Sequence, residues 1–135
     1  MNTLIRGTVL AVIAAVTIGC GTETVPTAPT LETSFTYATT VTANGAAART
    51  FSTYDTGTIT ATLTNVTPAV ALGLGIGIPR SDGGGCLLTT SVEATSSSTP
   101  QIVLRADSAS TYCLKVYDVG RVTERAEFSV TVTHQ

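Results

Sequence analysis

Thr58-Ile59-Thr60-Ala61-Thr62-Leu63-Thr64-Asn65 is the stretch whose reading decides the fold. Ile59, Ala61 and Leu63 occupy alternate positions, with Thr58, Thr60, Thr62 and Thr64 between them. Successive side chains of a strand point to opposite faces, so this pattern buries one face and wets the other. That is how an antiparallel strand reads when its sheet has one covered side. A helix needs apolar residues three and four apart, and no stretch from Ser34 to Gln135 carries that stripe.

The same period extends outward. Upstream, Asp55-Thr56-Gly57 turns the chain, and Thr50 to Tyr54 form a short strand. Earlier still, Phe35, Tyr37 and Val41 mark one face of a first strand. Asn44-Gly45 follows it, a turn pair that predicts a hairpin. Downstream, Thr67-Pro68 ends the decisive strand. Val70, Leu72, Leu74, Ile76 and Ile78 then share one face of a fourth, with Gly73, Gly75 and Gly77 on the other. Beyond a loop at Pro79 to Gly85 come strands at Cys86 to Glu93, Gln101 to Ala106 and Thr111 to Asp118. Phe128, Val130 and Val132 mark the last. Short strands separated by turns roughly every ten residues predict an all-β, antiparallel sandwich or barrel of about eight strands.

Composition agrees. Of 135 residues, 43% are hydrophobic and 12% charged, too apolar and too uncharged for a disordered chain. Thr occurs 28 times, and β-branched residues suit pleated strands. The net charge of −2 argues against nucleic acid as a partner, since phosphate binding needs clustered Lys and Arg.

The N-terminus reads differently. Met1 to Gly19 carry one charge, Arg6, then an apolar run from Val9 to Ile18 broken only by Thr17. A positive start, a short apolar stretch and small residues describe an export signal. The run is shorter than the roughly 20 apolar residues a membrane span needs. Thr17-Ile18-Gly19-Cys20 resembles the lipobox of bacterial lipoproteins. The resemblance implies cleavage after Gly19 and diacylglycerol attachment to the Cys20 thiol, hence a membrane partner through the lipid. Gly rather than Asp at position 21 implies the outer membrane of the cell envelope. An ordinary signal peptide with a chance Cys is the alternative. Residues 20–33, with Pro26, Pro29 and many Thr, read as a tether, and residues 34–135 as the folded domain.

Two cysteines then remain in an exported chain. Pairing Cys86 with Cys113 closes a loop of 28 residues, worth roughly 3–4 kcal/mol. A domain of about 100 residues benefits from such a staple. The competing reading is a reactive thiol, but neither Cys has a His or a basic cluster nearby in sequence to lower its pKa.

Ser110-Thr111-Tyr112-Cys113-Leu114-Lys115-Val116-Tyr117-Asp118, followed by Ala126-Glu127-Phe128-Ser129-Val130-Thr131-Val132, resembles the end of bacterial pre-peptidase C-terminal domains. Phe51 through Leu63, with Gly57 leading into the alternating strand, is also similar. The resemblance implies an eight-stranded jelly-roll-like sandwich on a secreted or surface protein.

Catalytic chemistry is hard to assemble. The single His, His134, sits one residue from the C-terminus and is expected to be exposed, a poor site for a triad. Zinc sites want three or four Cys or His ligands. Asp55, Asp82, Asp107 and Asp118 fall in or near turns, where Asp hydrogen-bonds its own backbone. No loop has calcium-binding EF-hand spacing. Gly73-Leu74-Gly75-Ile76-Gly77 lacks the third Gly of a dinucleotide loop and the Gly-Lys-Ser/Thr of a phosphate loop. Its glycines mark either close packing of a backbone or ring, or a docking face for a ligand. No catalytic, cofactor or metal residue is assigned. The expected function is a non-catalytic, surface-anchored lipoprotein module that binds an envelope protein or polysaccharide or serves structurally. An inhibitor or accessory domain for an exported hydrolase, acting through Pro79 to Gly85, is the alternative.

Overall fold

The computed structural model describes residues 26–135. Residues 1–19, read above as an export signal, and Cys20 lie outside the described residues. Eight strands follow in order: β1 Thr33–Thr42, β2 Ala46–Thr53, β3 Gly57–Thr67, β4 Leu72–Pro79, β5 Cys86–Ala94, β6 Ile102–Ala106, β7 Ser110–Asp118 and β8 Arg125–His134. They form two four-stranded sheets, ordered β1-β8-β3-β6 and β2-β7-β4-β5, and every pairing is antiparallel. Consecutive strands alternate between the sheets except at the β4–β5 hairpin. That winding is a jelly roll.

The alternation in β3 points inward as the sequence predicts: Ile59, Ala61 and Leu63 are fully buried. The strand does not stop at Asn65. A register shift between Leu63 and Asn65 inserts one residue, which flips the phase and turns Val66 into the core opposite Phe128. At this irregularity the β5–β6 connection closes the free edge of β3. Leu63 N donates to Gln101 Oε1 at 2.7 Å, and Ser97 N donates to Leu63 O at 2.8 Å. Leu72, Leu74, Ile76, Leu114 and Val116 meet Phe128, Val130 and Val132 of the other sheet in one core.

Three expectations are corrected. Asn44-Gly45 turns, with Asn44 at φ 57°, but joins no hairpin, because β1 pairs β8 and β2 pairs β7. The turn carries the chain from one sheet to the other. β2 begins at Ala46 rather than Thr50, since β7 supplies partners back to Tyr117. Ile78 has core-facing parity yet is 55% exposed, lying beyond Gly77, the last residue of β4 paired with β7.

Candidate functional site

Gly73, Gly75 and Gly77 lie on the outer face of β4, and that face is covered. All three are buried. A Cβ on Gly73 would enter the ring of Tyr117, its β7 partner. A Cβ on Gly75 would stand 2.8 Å from the Leu88 methyl carbons. A Cβ on Gly77 would collide with the Leu87 carbonyl. A second register shift, between Ile76 and Gly77, explains the cover: it turns Leu88 outward over the glycines. The face therefore presents Tyr117, Leu88 and Lys115, whose ammonium lies 5.7 Å from the Tyr117 ring centre, rather than bare glycine backbone.

Gly77 also makes room for the disulfide. Gly77 is opposite Cys113 on β7, and Pro79 is opposite Cys86 on β5. The start of β5 passes over the bare Gly77, so Cys86 and Cys113 approach to a Cα separation of 5.8 Å and are bonded. The Pro79–Gly85 loop next to this bond closes as a turn: Gly83 N donates to Arg80 O at 3.2 Å and Arg80 N donates to Gly85 O at 2.9 Å.

His134 is buried, with 3% of its surface exposed, against the expectation of an exposed terminal residue. It closes β8 opposite Thr33, and its ring lies 5.4 Å from Phe51 and 6.2 Å from Phe35. Phe51 also stacks on Tyr112 at 5.9 Å. The cluster links both sheets. The period-two run Phe128, Val130, Val132, His134 carried the signal for this burial. Arg49 closes the open side beside it, with its guanidinium 4.9 Å from the Phe35 ring and 5.8 Å from Tyr37.

The turn carboxylates do not converge. Asp55 accepts from Thr56 N at 2.7 Å, and Asp82 from Gly84 N at 2.8 Å. Asp107 pairs with Arg105 at 3.1 Å. Asp118, at the opposite end of the sandwich, accepts from Asn44, Gly120, Arg121 and Val122 N–H groups at 2.8–3.0 Å. The Asn44 amide foremost, then Val122, holds its pKa down at about 2, with Arg121 and Gly120 adding and partial burial opposing. This carboxylate clasps two loops. Among the described residues no group of three or more His, Cys, Asp or Glu is placed to hold a metal ion. No protein-family model and no curated protein matches the chain.

Proposed function

We propose that this protein is a lipid-anchored, non-catalytic module of a bacterial cell envelope, held through Cys20. The carrying observation is the order of its parts: a short apolar run ending in Thr17-Ile18-Gly19-Cys20, then a Pro/Thr segment, then one stapled sandwich. Residues 26–32 are exposed and without secondary structure before β1 starts, which suits a spacer. Gly21 favours the outer membrane. The absence of a catalytic role is supported by the dispersed carboxylates and by His134, whose ring is enclosed by Phe35 and Phe51. The module acts by binding an envelope protein or polysaccharide, or as a structural part of the envelope.

Two acyl chains suffice for stable anchoring and one does not, so lipid on Cys20 decides location. Growing cells with radiolabelled fatty acid should label the wild-type protein. Cys20→Ser should abolish the label and release the chain from the membrane fraction. Label that survives Cys20→Ser overturns the reading.

A further inference from the structure

We propose that the tether end of the sandwich docks on the bilayer, with Leu31 and Tyr54 seated at headgroup level. The proposal rests on the lipid-anchored reading above. Leu31 is 87% exposed and Tyr54 79%. They line one open hollow with Pro29, Asp55 and Gln135, where the tether meets the β2–β3 turn and the end of β8.

Chain length places this hollow near the lipid. Pro26 follows Cys20 by six residues. At about 3.3–3.6 Å each they reach roughly 20 Å at most. The loops at the other end, residues 43–45 and 95–101, stand a strand length further away, roughly 33 Å for ten residues. An anchor on Cys20 thus keeps the Leu31–Tyr54 end nearer the membrane than the loops at the other end. Tethering raises the effective concentration of the surface to roughly millimolar, so a contact of two side chains is enough to bias orientation. Tyr suits this place, with its ring among acyl chains and its hydroxyl in water. The charges left unpaired beside the hollow are acidic, Glu32 and Asp55, while Arg105 is paired with Asp107. The docking is therefore apolar and aromatic, and anionic lipid should not strengthen it.

The chain contains no Trp, so one introduced Trp reports its own surroundings. Tyr54→Trp and, at the far end, Ser98→Trp are placed in the full exported protein. Both sites are exposed, and both variants should fold. Each is reconstituted in vesicles of phosphatidylethanolamine and phosphatidylglycerol carrying brominated acyl chains, which quench indole on contact. The reporter at position 54 should emit at shorter wavelength and be quenched several-fold more than the one at 98. Adding Leu31→Asp should relieve that quenching. Equal quenching at 54 and 98, on protein shown by mass to be lipidated, overturns the docking and leaves the anchor intact. If the mass shows no lipid, the anchor reading fails, and the docking that depends on tethering is overturned with it.

Discussion

Gly77, Gly75 and Gly73 differ in what a methyl group would displace. At Gly77 it meets the Leu87 backbone, which the disulfide at Cys86 holds in place. At Gly73 it meets the Tyr117 ring, and at Gly75 the end of Leu88 and, less tightly, the Thr90 carbonyl at 3.2 Å; both side chains are only half-buried and able to swing outward. Overpacking typically costs about 1–3 kcal/mol. Gly77→Ala should fall at or above the top of that range, and Gly75→Ala and Gly73→Ala near the bottom, measured by urea unfolding. A Gly77→Ala variant as stable as wild type would show that β5 does not press on β4. Asp118 gives a pH test. Its carboxylate is held at about 2 in the folded protein, below the ordinary 3.8. A lowered folded pKa adds stability that is complete above pH 4 and is lost as pH falls through 2. Asp118→Asn should flatten the stability profile between pH 4 and 2 and lower stability at pH 7. An unchanged acid limb would remove the clasp from the account. The sequence carried part of this, since strand glycines mark a close backbone or ring and a turn Asp bonds its own backbone; that Leu87, Leu88 and Tyr117 supply the cover and that Asn44 joins the Asp118 clasp depends on neighbouring strands and loops.

At the scale of the element, β8 shows how a terminus becomes part of the core. Its alternation runs Ala126, Phe128, Val130, Val132, His134, and all five are buried. Position in the chain argues for fraying, yet pairing with β1 along ten residues overrides it. The following residue is held as well, since Tyr54 N donates to Gln135 O at 3.3 Å. His134→Ala should therefore destabilise by roughly 1–3 kcal/mol. His134→Phe should recover most of that loss by keeping a ring against Phe35 and Phe51. Thermal melts of the two variants separate this from an exposed residue, for which both changes would be neutral. β2 teaches a related lesson. Ala46-Ala47-Ala48 has no strand propensity of its own, and only the registry with Lys115 to Tyr117 makes it extended. In β3 the period-two signal was readable, but the single-residue insertions that shift the register in β3 and β5 were not. A bulge is visible only against a partner strand.

For the molecule as a whole, one core joins both sheets, and the aromatic cluster and the disulfide lie at the same end. Unfolding should be cooperative, with strand content by far-ultraviolet circular dichroism and the tyrosine signal in the near-ultraviolet lost at one midpoint. Separate midpoints would mean that the sheets melt independently. The sequence by itself determined that residues 34–135 are built from strands, which residues face inward over most of β3, β4 and β7, and that Cys86 and Cys113 are the two cysteines within that domain. These are local properties: the two-residue period is written into each segment, and the thiol count is simple arithmetic. Only the tertiary structure decided that Asn44-Gly45 crosses between sheets, that Tyr117 and Leu88 roof the glycines, and that His134 lies inside. Those outcomes depend on which distant strands pair and in what register. β1 finds β8 at the far end of the chain, and no periodicity within either strand names its partner.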